Sequence, residues 1–221
     1  MNFRLFTFIF TLVIGSYTHA QKDSLSTKYR EDQFFLSFSM ILQQESIQGF
    51  KQNGFSNNIQ MGFIRDIPLN KKGDLALGWG LGYGFHKFVS NLNLDDQDPT
   101  NLTFSVIANQ QNKQTFSSLF IPIEFRLRTS TIDKTDFWRF YGGFKYKFNF
   151  SSRFNYAYGG SSKEKFIRDQ NAAVYLSLGY NTWNLFFEYD LNSIYKDELT
   201  LVDGIRPNLR VIKIGLIFYV L

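Results

Sequence analysis

Few residues in this chain could do acid–base or nucleophilic chemistry. Histidine occurs only at His19 and His86, and there is no cysteine. Thiolate metal sites, cysteine nucleophiles and disulfides are therefore excluded. A Ser-His-acid set would need His86 as base, Ser90 or Ser39 as nucleophile and Glu124 to orient the ring. That set would make the chain a lipid-modifying enzyme. Against it, His86 shares a face with a row of glycines and has no nucleophile at a telling spacing, which favours a hydrogen-bonding role. The run Asp95-Asp96-Gln97-Asp98 has the oxygens Ca²⁺ prefers but lacks the glycine and terminal glutamate of a known loop, and Pro99 interrupts it. It reads as a solvated loop. The glycines at 78, 80, 82 and 84 lie inside a strand pattern with no helix after them, so they form no phosphate loop. The cations Arg153, Lys163, Lys165 and Arg168 suit lipopolysaccharide phosphates or are ordinary loop charge. No catalytic residue, metal or cofactor is expected.

The element that must position these groups is clearest at residues 74–88, DLALGWGLGYGFHKF. Leu75, Leu77, Trp79, Leu81, Tyr83 and Phe85 fall on one parity, and Ala76, four glycines and His86 on the other. Side chains alternate across a strand, so one face is large and apolar and the other almost bare. A helix would scatter these residues and be penalised at each glycine. The same alternation recurs at about 33–43, 55–66, 116–128, 137–150, 169–180, 183–192 and 209–221, which makes eight strands. Each approaches the roughly 9–11 residues that a tilted membrane strand needs. Connections alternate between long and short. Polar stretches such as Ser90 to Thr115 fall on one side, and turns such as Asn181-Thr182 on the other.

The pattern predicts an all-β fold: an eight-stranded antiparallel transmembrane β-barrel of the outer-membrane type. If the large faces pointed inward, a small closed interior could not hold them at normal packing density, although two packed sheets could hold more, which keeps a soluble sandwich as an alternative. Facing lipid, they need no such fit. The opposite faces then place Glu124, Arg126, Arg139, Tyr141, Lys145, Glu188 and Lys213 in the lumen as a polar network. Pairing of the fourth and fifth strands about residues 132–133 would set Glu124 beside Tyr141 and diagonal to Arg139. Trp138, Tyr180, Trp183 and Phe218 are expected to form an aromatic girdle at the periplasmic end, with Phe55, Phe85, Phe150 and Tyr189 near the other. Lys213, Gly215, Phe218 and Val220 on the last strand fit a signal read by the outer-membrane barrel assembly machinery, with Leu221 where a terminal Phe is usual. An eight-stranded interior is just filled by side chains, so an open channel is not expected, although a narrow solute or ion pore is an alternative.

The N-terminus predicts export. Arg4, an apolar run from Leu5 to Ile14 and the ending Thr18-His19-Ala20 match a signal peptide cleaved after Ala20. Residues 21–32 then form a polar periplasmic lead-in, and 33–221 the barrel. The net charge of +5 is spread along the chain without a basic stripe, which argues against nucleic acid.

Several segments carry a family likeness: Gly62-Phe63-Ile64-Arg65-Asp66-Ile67-Pro68, Gly80-Leu81-Gly82-Tyr83, Ile121-Pro122-Ile123-Glu124-Phe125-Arg126, the strand 138–148, and Gly215-Leu216-Ile217-Phe218-Tyr219. Over residues 29–221 the chain resembles the small porin-like, PorT-type outer-membrane barrels of Gram-negative bacteria. The resemblance implies outer-membrane location and a structural or accessory role. It also implies a link to type IX protein secretion, in which the namesake takes part, and it supplies no catalytic residue. The expected partners are outer-membrane lipid and lipopolysaccharide, the assembly machinery during biogenesis, and a protein met through the outer loops.

Overall fold

The computed structural model describes residues 31–44, 47–96, 102–129, 138–202 and 204–220. The segment expected to be a signal peptide and most of the expected lead-in lie outside the described residues, as do Leu221 and the turn at Asp133-Lys134. The strands are β1 (Gln33–Gln44), β2 (Asn57–Pro68), β3 (Leu75–Ser90), β4 (Leu92–Asp95), β5 (Thr103–Val106), β6 (Asn112–Arg128), β7 (Trp138–Asn155), β8 (Ser161–Ser162), β9 (Gln170–Tyr180), β10 (Trp183–Asp190), β11 (Thr200–Leu201) and β12 (Arg210–Val220). Eight of them close into an antiparallel barrel in the order β1-β2-β3-β6-β7-β9-β10-β12, with β12 returning to β1. Closure leaves no sheet edge, and so pairs the backbone without help from water.

The alternation read from the sequence sets the two surfaces. Along β1 the burial pattern is strictly alternating, with Phe34, Leu36, Phe38, Met40 and Leu42 outward. On β3 the outward stripe from Leu75 to Phe85 spans ten residue steps, about 33 Å along the strand and roughly 25 Å along the barrel axis once tilted. That matches the height of an apolar membrane band.

The glycines of β3 face inward and make room for β6. A Cβ at Gly78 would meet Arg126 Nε at 2.9 Å and Glu124 Cγ at 3.0 Å; one at Gly84 would meet Ser118 Oγ at 2.8 Å. At Gly82 it would meet the Phe120 ring at 2.4 Å. Pro122, lacking an N–H, sits within β6 where the ladder to β3 skips Gly80 and Leu81. At the short-turn end, Asn181 takes φ of 53° in the two-residue hairpin between β9 and β10. Asparagine supplies there the left-handed conformation that glycine usually does.

The long-loop end departs from the expectation of polar loops. Strands β4 and β5 lie within the stretch read as one loop, and with β11 they form a separate three-stranded sheet. The loop segments bury an apolar cluster over the mouth of the barrel, including Leu92, Leu94, Phe104, Phe166, Tyr195 and Leu201, packed on Phe88, Phe116 and Phe154 from the strand ends. Side chains stitch the loops together. Asn91 accepts from the Lys51 amide at 2.7 Å and donates to Gly49 O at 2.9 Å. Tyr195 donates its hydroxyl to Gln114 Oε1 at 2.8 Å, and burial pushes its pKa up, so it stays a donor. Leu92, Leu94 and Phe104 are separated by Asn, Asp and Thr in strands of four residues, too short for periodicity to identify.

Filling the space at Gly82 should block assembly, since the ring of Phe120 already occupies it. Gly82→Phe is expected to cost at least about 3 kcal/mol and to lose the heat-modifiable gel shift of a folded barrel. Normal assembly of that variant would contradict the inward placement of the β3 glycines.

Candidate functional site

The lumen holds two ion-paired clusters separated by an aromatic layer. The lower cluster, at the short-turn end, is built by β6 and its neighbour β7, by β2 on the far side of β3, and by Glu31, just before β1. Arg126 donates from Nε to Glu124 Oε1 at 2.6 Å and from Nη1 to Asp66 Oδ1 at 3.0 Å. Arg128 Nη2 donates to the other Asp66 oxygen at 2.8 Å. Glu31 Oε2 lies 3.4 Å from Arg128 Nη1 and 3.8 Å from Arg139 Nη2. Each guanidinium presents a planar fork of donors, so one arginine can join two carboxylates. Tyr175 donates to Glu124 Oε2 at 2.5 Å, and the Arg126 guanidinium sits 4.8 Å from the Tyr141 ring centre.

The upper cluster centres on Glu188 of β10. Lys145 Nζ lies 2.8 Å from Glu188 Oε2, while Lys213 and Lys147 lie 2.5 and 3.3 Å from Oε1. Asp190 pairs with Lys147 and lies 3.7 Å from Lys213. Lys145 also sits over the rings of Phe120, Tyr175 and Phe186 at 4.5 to 4.8 Å. Those rings belong to the layer between the clusters, with Phe35, Ile64, Tyr141 and Tyr219. The lumen is therefore filled with side chains, and the apolar cap covers its outer mouth. This arrangement does not favour a pore.

The structure brings Glu124, Arg126, Arg139 and Tyr141 into the lower cluster and Lys145, Glu188 and Lys213 into the upper one. The expected register of β6 and β7 is corrected by two residues. Glu124 faces Gly143, Arg126 faces Tyr141, and Arg128 faces Arg139. A two-residue slip keeps every side chain on its own face, so hydrophobic patterning cannot detect it. The observed register seats Glu124 against a residue without a side chain: a Cβ at Gly143 would lie 2.7 Å from Glu124 Cβ. Lys147, which the strand pattern also turns inward as a plug, joins the upper cluster, and Glu31, Asp66, Arg128 and Asp190 belong to these clusters without being singled out by the sequence reading. Parity points to Asp66, Arg128, Lys147 and Asp190; nothing in the pattern points to Glu31, which precedes the first strand.

His86 is inward and buried, and it bonds neither Ser39, Ser90 nor Glu124. Its Nδ1 lies 3.2 Å from Asn58 Nδ2 and its Nε2 lies 2.9 Å from Ser118 Oγ. This Asn-His-Ser row looks like a catalytic set, but hydrogen-bond polarity runs the wrong way. Lys145 can only donate, so the atom it meets on Gln60 at 2.6 Å is the carbonyl oxygen. The Gln60 amide then donates to Asn58 Oδ1 at 2.7 Å, which turns the Asn58 amide toward His86 Nδ1. Nδ1 accepts, so Nε2 carries the proton and donates to Ser118. A histidine in that tautomer cannot take the serine proton. Of the acidic run at 95–98, Asp95 and Asp96 are described, and Gln97 and Asp98 lie outside the described residues.

Trp138, Tyr180, Trp183 and Phe218 are consecutive cross-strand neighbours at the short-turn end. Trp138 and Tyr180 meet edge-on at 5.6 Å, as do Trp183 and Phe218 at 4.9 Å. At the opposite end Phe55 stacks on Phe38 at 6.4 Å, and Tyr83 tilts against Phe150 at 6.4 Å. On β12, Lys213 points into the lumen while Val220 faces outward and Phe218 is half-buried.

A family profile described as "Outer membrane protein beta-barrel domain" matches residues 19–196. No curated protein sequence matches the chain. Among solved structures, Ail, the attachment invasion locus protein of Yersinia pestis, is similar at 12% identity and a TM-score of 0.40, covering 85% of this chain and 96% of that one. Ail in complex with the heparin analogue sucrose octasulfate gives 13% identity and a TM-score of 0.40, covering 86% and 97%. A major outer membrane protein from Thermus thermophilus gives 12% identity and a TM-score of 0.32, covering 86% and 100%.

Removing the central carboxylate should expose the dependence of the upper cluster on it. Glu188→Gln leaves three buried lysines with Asp190 as the one carboxylate that still pairs with them among the described residues, and should destabilise the barrel by about 3–5 kcal/mol in urea titrations. Adding Lys213→Met should recover part of that loss. No recovery in the double variant would count against Glu188 as the shared partner.

Proposed function

We propose that this chain, which belongs to the family of outer membrane protein β-barrel domains, is a non-enzymatic structural or accessory component of the cell envelope. In this reading it works through its outer surface. The observation that carries it is the folded cap: the long loops bury a shared apolar core over a lumen already filled with ion pairs. Folded loops present a fixed shape to a partner, whereas a conduit would need a clear path and an enzyme would need an accessible nucleophile and base. The loop tips leave Tyr158, Val202 and Ile205 exposed, and apolar side chains of that kind suit contact with a protein.

The family resemblance offers type IX protein secretion as the setting for such a partner, and residues 1–20 as the export signal that brings the chain there. Lys213, Gly215, Phe218 and Val220 serve, in this reading, as the assembly signal, and Trp138, Tyr180, Trp183 and Phe218 as the girdle that sets depth in the membrane.

Photo-cross-linkers placed at Tyr158, Val202 and Ile205 in living cells should give one dominant adduct, absent when the same group is placed on the lipid-facing Leu81. If that adduct is a secretion component, deleting the gene should also lower export of secreted cargo. A diffuse adduct pattern identical to that from Leu81 would remove the case for a loop-bound partner.

A further inference from the structure

We infer that the outer end of β7 carries a seat for the phosphate of an outer-leaflet glycolipid. The seat is a cleft of about 380 Å³ lined by Phe150, Arg153, Lys163, Lys165 and Asp169, with Ser151, Ser152, Asn149 and Ile167 completing its wall.

The cleft has an identifiable origin. β7 pairs with β9 up to Phe148↔Gln170 and with β8 at Phe154↔Ser162, and the residues between lack a ladder on that side. On its other side β7 carries a bulge: Phe150 pairs with Ser117 and Arg153 with Thr115, which leaves an extra residue on β7. Ser151 takes φ of 55° there. The bulge keeps both Phe150 and Arg153 on the outer surface while returning Phe154 to the cap. The returning segment is held alongside by Asn149, whose side chain donates to Arg168 O at 2.8 Å, and by Ser152, which donates to Glu164 O at 3.1 Å.

The cleft carries an excess of positive charge. Arg153, Lys163 and Lys165 are exposed, and no carboxylate among the described residues forms an ion pair with any of them. Asp169 is the one acid in the lining. A phosphate can accept charge-assisted hydrogen bonds from all three cations.

The height of the cleft fits a lipid headgroup. Its floor residue Phe150 is the last of an outward aromatic run with Tyr146 and Phe148. Arg153 stands just beyond that run on the long-loop side, one strand across from Thr115, and Thr115 pairs in turn with Lys87 of β3. Acyl chains lying along the aromatic stripe would bring a headgroup phosphate level with these cations. A free anion would gain nothing from Phe150.

The inference rests on the outer-membrane placement of the barrel and not on a protein partner, so the two readings fail separately. The test reconstitutes the full chain in phosphatidylcholine nanodiscs with or without lipid A. Lipid A retained after washing and the unfolding temperature are both measured. Wild-type protein should retain lipid A and unfold at higher temperature with it. The variant R153Q/K163Q/K165Q should retain it about tenfold less, whereas K51Q/K71Q/K196Q, which removes the same charge elsewhere, should behave as wild type. Five of the six positions are exposed and Lys196 is half-buried, and heat-modifiable migration checks folding. Equal retention by the two variants would overturn the site. Equal retention of dephosphorylated lipid A would overturn phosphate as the recognised group. A full thermal shift from inorganic phosphate alone would overturn the glycolipid as occupant.

Discussion

Everything inside this barrel depends on one constraint: charges placed in a closed lumen must find opposite charges there. An unpaired ion out of water costs several kcal/mol, while a well-made buried pair roughly repays its own desolvation. The ion pairs therefore contribute little net stability and much specificity. Glu188 shows how tight the constraint is, because three lysines from β7 and β12 converge on its two oxygens. Any change of register that moved β10 against β12 would break that convergence. The lipid-facing side chains impose no such demand, since one apolar contact in a bilayer is as good as another. The inside fixes the register, and the outside fixes only which face is out.

That division explains how much is legible in the sequence. Strand positions and facing follow from parity alone, because a period of two is visible wherever the run exceeds about eight residues. The eight barrel strands differ from their expected bounds mainly by extension at the long-loop end, as where β6 begins at Asn112 and β7 runs to Asn155. Parity also separates inward Glu124, Arg126, Lys145 and Glu188 from their apolar neighbours. It cannot say that Arg126 rather than Glu124 stands beside Tyr141, since slips of two residues preserve the pattern. Nor can it find the cap, whose strands are two to four residues long.

The glycine face of β3 links these scales. Read along one strand, it is only an absence of side chains. In the closed barrel it is the counterpart of β6, where Glu124, Arg126, Phe120 and Ser118 occupy the volume that Cβ atoms on β3 would otherwise fill. Small residues on one strand and large polar ones on the next are two halves of one packing solution. Neither half would be stable with an average neighbour.

The two clusters solve the charge problem in different ways, and the difference falls on Glu31. In the upper cluster Lys145, Lys147 and Lys213 face Glu188 and Asp190, so one positive charge is left over. Aromatic faces under Lys145 and neutral acceptors such as Gln60 take up part of it. In the lower cluster Arg126, Arg128 and Arg139 face Glu31, Asp66 and Glu124, and the count balances. It balances only because Glu31 is there. Its backbone carbonyl also accepts from Arg126 at 3.1 Å, and Gln33 donates to its carboxylate at 3.0 Å. A residue that the sequence assigns to a polar lead-in thus supplies one of the three negative charges that close this end. Glu31 is drawn into the lumen network by charge balance and not by strand periodicity.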